Sequence, residues 1–180
     1  WLGNLVLPGG ARIALSSLLR QIEHIEEEIK QLDADVKRLS ETSRYVEPAT
    51  ALVDQIRGVG LLTAMVYLTE MGDLSRFSNR KKVGSFLGLV PSSNESGERS
   101  DSKGHITHEG PPRVRKVLCQ ASWCRVREDA HERSIYERIV VKNPKKKKIA
   151  VVASMRRLAI RMWHVGLEAQ QKANVFEKAA

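Results

Sequence analysis

"LVDQIRGVGLLTAMVYLTEMG", residues 52–72, decides the fold. Two apolar stretches with helical spacing, Leu52–Ile56 and Leu62–Met71, are separated by Gly58 and Gly60 on either side of Val59. Glycines flanking an aliphatic residue permit a tight turn. They also leave the first amides of the second helix uncovered, where free N–H groups and the helix dipole can hold a phosphate. The pattern predicts a helix-hairpin-helix that grips nucleic acid, with Gly58 and Gly60 at the phosphate. A plain helix–helix turn using glycine for packing is the other reading the residues allow.

Upstream, Leu15, Leu18, Ile22, Ile25, Ile29, Leu32, Val36 and Leu39 alternate by three and four, which predicts a coiled-coil connecting helix over residues 12–47. Mostly β-branched residues in one set (Leu15, Ile22, Ile29, Val36) and mostly Leu in the other (Leu18, Ile25, Leu32, Leu39) favour two parallel strands. The flanks oppose this. Glu26, Glu28, Asp33 and Asp35 border the seam, so a parallel copy sets Glu28 against Asp33 of its mate. The expected partners are a second copy, at the cost of that repulsion, or a basic helix from the C-terminal segment or from sequence upstream of Trp1.

Downstream, "DLSRFSNRKKVGSFLGLVP", residues 73–91, reads as a turn, a Ser78 cap and a short helix carrying Arg80, Lys81 and Lys82. A polar, glycine-punctuated stretch follows to Gly110, expected to be irregular or a short hairpin; such long loops are usually functional or disordered. Pro111 and Pro112 suit a helix start. Arg113, Arg115 and Lys116 in its first turns oppose the helix dipole, a cost that makes sense beside an anion of high charge, while Val114, Val117, Leu118 and Ala121 point to a core. Asn143 and Pro144 form a turn before Lys145, Lys146, Lys147 and Lys148, read as phosphate contacts or, alternatively, as a solvated linker. The last helix places Ile149, Val152, Met155, Ala159, Met162 and Val165 near one face with Arg156, Arg157 and Arg161 beside it, and "NVFEKAA" reads as a frayed tail.

The 180 residues hold 30 Lys and Arg against 21 Asp and Glu, a net charge of +9, and residues 1–60 carry −2 while 61–180 carry +11. A polyanionic partner facing the last two-thirds is the expectation. Cys119 and Cys124 lie too close together on one helix for a disulfide framework, and no apolar run approaches a membrane span, so a cytoplasmic protein without a membrane partner is expected. His105, His108, Cys119 and Cys124 lack zinc spacing, and Glu70 with Asp73 reads as a solvated helix end, so no metal site is expected in this chain.

Taken together, the glycine hairpin, "GD-x-x-RF" at Gly72–Phe77, "GL-x-P" at Gly88–Pro91, "ESG" at Glu95–Gly97, "G-x-I-x-x-x-G" at Gly104–Gly110 and "KNPKKKKIAVVASMRRLA" at Lys142–Ala159 closely resemble the C-terminal transposase domain of the IS110 insertion-sequence family, related to the Piv DNA invertase. The resemblance implies a transposase domain over residues 51–172 of an all-α protein. It further implies a recombinase in which an N-terminal RuvC-like domain holds magnesium on acidic residues, a guide (bridge) RNA is bound, and the "ESG" serine, Ser96, becomes covalently joined to DNA. A serine ester keeps the phosphodiester energy, so strands can be exchanged without ATP. The acidic domain is not in this sequence, so the fragment is expected to bind nucleic acid without recombining it. Two rivals remain: a non-catalytic helix-hairpin-helix module that oligomerises through its coiled coil, and a coiled-coil assembly factor, which leaves the +11 unexplained.

Overall fold

The computed structural model describes residues 5–93, 103–142, 144 and 147–179. Among them are seven α-helices and a single two-stranded sheet, an all-α architecture in which a long helix precedes a compact helical region. No helix of the described residues is long and apolar enough to cross a membrane. The chain divides into two units, Trp1–Glu41 and Thr42–Ala180.

The first unit is helix α1, Gly9–Ser40, with Lys37 and Arg38 in its last turn, where cations complement the helix dipole. Its apolar seam is open: Leu18, Ile22, Ile25, Ile29 and Leu32 are each 49–59% exposed. The helix stops short of residue 47. A helix continued past residue 47 would in any case meet Pro48, which lacks the N–H for the i−4 bond and clashes with the i−4 carbonyl. The chain turns after Ser40 and restarts as α2, Val46–Gln55, in which Pro48 falls in the tolerant first turn.

The second unit continues with α3 (Leu61–Met71), a 3-10 turn (Leu74–Arg76), α4 (Arg80–Phe86), β1 (Pro91–Ser93), β2 (Lys103–Ile106), α5 (Pro112–Glu128), α6 (Ala130–Lys142) and α7 (Lys147–Ala179). Helix α7 is the spine, packed by α2, α4, α5, α6 and the 3-10 turn. Its buried stripe is Ala150, Met155, Leu158, Ala159, Met162 and Trp163; Ile149 is exposed, contrary to the expected apolar face, and its place in the core is taken by Ala150. Nor does the chain fray after Ala173: the backbone stays helical to Ala179.

Buried polar groups fix the register of α7. The Tyr67 hydroxyl donates to the Ala159 carbonyl (2.8 Å), Trp163 Nε1 donates to the Leu74 carbonyl (3.0 Å), and the Leu74 amide donates to Gln170 Oε1 (3.4 Å). Gly166 admits Leu74, whose Cδ1 would lie 2.7 Å from a Cβ there. The "GD-x-x-RF" step then has a structural account. Gly72, at φ 63°, ends α3; the Asp73 carboxylate accepts from the Ser75 hydroxyl and amide, which holds its pKa below the usual carboxylate value. The Arg76 guanidinium lies 4.5 Å from the ring centroids of both Phe77 and Phe86. The cap of α4 is Asn79 rather than Ser78, since the Asn79 side-chain oxygen accepts from both the Lys81 (2.9 Å) and Lys82 (3.1 Å) amides, a reach available only at the residue next to the helix.

Burial pushes the Tyr67 phenol well above its ordinary 10.0. Its contribution to stability is whole below that value and is lost as pH climbs past it, because the unfolded chain ionises first. Tyr67→Phe should cost about 1 kcal/mol at neutral pH through the lost hydrogen bond and should flatten the alkaline fall in stability. Urea unfolding on both sides of the phenol's ordinary value measures both effects.

Candidate nucleic-acid interface

The two glycines of the α2–α3 connection do different work. Gly58 takes φ 82°, and a Cβ on it would meet Arg125 Cγ at 3.0 Å and the Ala121 carbonyl at 3.5 Å, so the turn lies directly on α5. Gly60 is extended (φ −88°, ψ 173°) and faces open space. It precedes a helix with no side-chain cap and no acidic residue in its first turn, which leaves amides at the start of α3 available to an anion.

Beneath the turn is an ion pair that the sequence did not disclose. Arg125, 4% exposed, donates through Nη1 to the Arg57 carbonyl (3.0 Å) and through Nη2 to Glu132 Oε1 (2.6 Å). Glu132 Oε2 lies 3.6 Å from Arg157 Nη1 on α7. Seven residues separate Arg125 from Glu132, a spacing that marks no helical pair, and the chain breaks between them. Asp129 makes the break: its Oδ1 accepts from the His131 (2.9 Å) and Glu132 (3.4 Å) amides, and chiefly the His131 bond lowers its pKa. On the same side of the unit, Arg161 Nη2 donates to the Gln55 carbonyl (3.3 Å) at the end of α2.

The long polar segment proves to be a hairpin with a closed base. Pro91 pairs with Ile106 and Ser93 with Lys103, antiparallel with a register irregularity between them, and the Thr107 amide reaches the Val90 carbonyl (3.0 Å). Gly88, at φ 63°, closes α4: its amide bonds the Ser85 carbonyl (2.9 Å) and the Leu89 amide bonds the Gly84 carbonyl (3.0 Å), a Schellman ending. A Cβ on Gly88 would overlap the Glu109 backbone, and one on Gly110 (φ 87°) would overlap the Phe86 carbonyl, so the two legs touch main chain to main chain. Arg115 ties them, with Nη1 within 3.0–3.3 Å of the Leu87, Glu109 and Gly110 carbonyls.

Among the expected nucleic-acid contacts, Arg115 is therefore engaged at the hairpin base. Arg113 is exposed and 3.9 Å from Glu70 Oε1, which accounts for one of the two acidic side chains at the end of α3. Arg80, Lys81 and Lys82 are exposed in the first turn of α4, as are Lys116 on α5 and Lys147 and Lys148 at the start of α7. The structure brings Arg80 to α7 beside Arg157 and Arg161, and it brings Arg115 to the other end of α4. Ser96, Lys145 and Lys146 lie outside the described residues. Among the described residues no group of three His, Cys, Asp or Glu side chains is placed to hold a metal ion.

Residues 50–137 match the IS116/IS110/IS902 transposase family. The chain is similar to the y4qE protein of Sinorhizobium fredii (30% identity over 64% of this chain and 36% of the relative). It is also similar to a 43.6 kDa protein of insertion element IS110 from Streptomyces coelicolor (25% identity over 75% of this chain and 33% of the relative). The pilin gene-inverting protein of Moraxella bovis is 29% identical over 54% of this chain and 30% of its own length. The chain thus spans about a third of the length of these curated relatives.

The geometry separates the glycines by cost. Gly110→Ala should destabilise by at least about 2 kcal/mol, from a left-handed backbone and a steric overlap together. Gly60→Ala, in open space at an ordinary φ, should cost no more than about 1 kcal/mol, the usual loss on placing Ala at an N-cap. Urea midpoints of the two variants give the comparison.

Proposed function

We infer that this chain, whose residues 50–137 carry the transposase domain of the IS116/IS110/IS902 family, is the DNA-binding, serine-bearing half of a transposase or site-specific recombinase. The observation that carries the reading is the hairpin. The "ESG" serine falls, in sequence, between two strands whose base is closed by Gly88, Gly110 and Arg115, in a domain of strongly basic charge. A fixed base under an "ESG" segment suits a nucleophile that must meet one scissile phosphate repeatedly.

In the proposed step Ser96 Oγ attacks the phosphorus. A P–O bond to serine forms, the bond to the departing sugar oxygen breaks, and the serine proton passes to a base while the leaving oxygen gains one. Attack by a sugar hydroxyl on the phosphoserine reverses the step and joins the new strands. Arg113 and Lys116, exposed at the start of α5, are the cations this reading assigns to the charge on phosphorus. The magnesium of the family's RuvC-like domain would activate the hydroxyl or stabilise the leaving oxygen.

Binding is assigned to the open amides after Gly60 and to the exposed cations of α4, α5 and α7, with part of that surface given to a guide RNA. The open seam of α1 supplies the oligomerising element, and its acidic flanks favour a basic partner helix over a like copy. Alone, the chain should bind nucleic acid and leave it uncut. The alternative, a helix-hairpin-helix module with an incidental Ser96, rests on the same binding surface.

Two experiments test this. With the acidic domain and guide RNA restored, a nicked target should trap a protein–DNA adduct that Ser96→Ala abolishes while binding survives. An adduct in the mutant eliminates the nucleophile, and no adduct in either protein favours the binding module. In the chain itself, Gly60→Asp should keep or raise thermal stability, because Asp is a good N-cap, yet weaken duplex binding several-fold by placing a carboxylate where the phosphate sits. Unchanged affinity would remove the hairpin from the interface.

A further inference from the structure

We propose that the groove between the start of α4 and the middle of α7 seats a phosphodiester strand. It is lined by Arg80, Arg157, Ile160, Arg161, His164 and Val165 and has a volume of about 400 Å³. Its α7 wall lies beyond the segment that matches the transposase family. The inference rests on the reading of the chain as a nucleic-acid binder and says where one strand runs.

Three features fit this ligand. No carboxylate lines the groove, while three arginines do, in the two-thirds of the chain that carries +11. Two of them are held before any ligand arrives. Arg157 rests 3.6 Å from Glu132, which is itself buried and fixed at 2.6 Å by Arg125, and Arg161 is anchored on the Gln55 carbonyl at 3.3 Å. A guanidinium has five N–H donors, and one such contact leaves an edge free for a phosphate, so less rotamer entropy is lost on binding. Between the cations, Ile160 and Val165 make an apolar floor that suits the carbon face of a sugar rather than a free inorganic ion. His164, its ring centroid 4.6 Å from that of Trp163, adds a ring nitrogen to the rim. Through Arg161 the groove also adjoins the end of α2, five residues before Gly60.

The test uses the 180-residue chain, with fluorescence anisotropy against a mixed-sequence DNA duplex and an RNA hairpin of similar length over a salt series. Arg80→Gln with Arg161→Gln leaves the Glu132 network intact; adding Arg157→Gln completes the set. Each lost phosphate contact should lower the slope of log affinity against log salt by about 0.9, so the triple variant should lose about 2 to 3 in slope and about tenfold or more in affinity near 0.1 M salt. A charge-matched control, Arg20→Gln with Lys30→Gln and Lys37→Gln on α1, should change affinity less than about threefold. Loss on DNA, on RNA or on both supports the groove and identifies which polymer occupies it. If the groove variants, folded by circular dichroism, bind like the α1 control, the groove is overturned while the general reading stands. If the parent chain binds neither polymer at low salt, the general reading itself fails.

Discussion

One buried ion pair organises the basic unit. Arg125 and Glu132 sit 2.6 Å apart in the interior, where removing each charge from water costs several kcal/mol. Only complete pairing offsets that cost. The Arg57 carbonyl takes one guanidinium edge and Arg157 approaches the second carboxylate oxygen, so the α2–α3 turn, α5, α6 and α7 all contribute to one network. The hairpin that exposes Gly60 is therefore not a free loop. Its position is set by a charge that the core cannot leave unpaired, and Gly58 lies against the stem of the same arginine.

Several of the residues that mark the family resemblance build the fold. Gly72 ends a helix, Asp73 caps the next turn and Arg76 packs over two adjoining phenylalanine rings. Gly88 and Gly110 let two strands of main chain touch where any side chain would intrude, and Arg115 bridges them. These are local steric and hydrogen-bonding demands, which tolerate few residue types. Grip on a polyanion is less exacting, because exposed cations act through a screened field that many arrangements satisfy. That difference explains why Gly72, Asp73, Arg76, Gly88 and Gly110 are packed or bonded while Arg80, Lys81, Lys82 and Lys116 stand in solvent.

Charge also distinguishes the two units. The seam of α1 is bordered by acids, whereas the compact unit is basic, so the two present opposite fields to their surroundings. An apolar stripe with one sign of charge on both flanks selects its partner by exclusion as much as by attraction, since like-charged copies repel.

The sequence by itself determined the long first helix, the glycine turn and the proline start of α5, because 3.6-residue periodicity, positive-φ glycine and the missing proline N–H act within a few residues. Its error at the cap of α4 had a local cause: Asn79 rather than Ser78 had the reach. What only the tertiary structure decided was which charges are spent and which are free. Arg113 and Arg115 look alike in sequence, yet one is exposed beside Glu70 and the other is consumed by three carbonyls. Arg125 and Glu132 carried no signal at all, and Arg80 meets Arg157 and Arg161 only because α4 folds onto α7. A guanidinium's role depends on what lies within about 3 Å of it, and that neighbourhood is assembled from segments far apart in the chain.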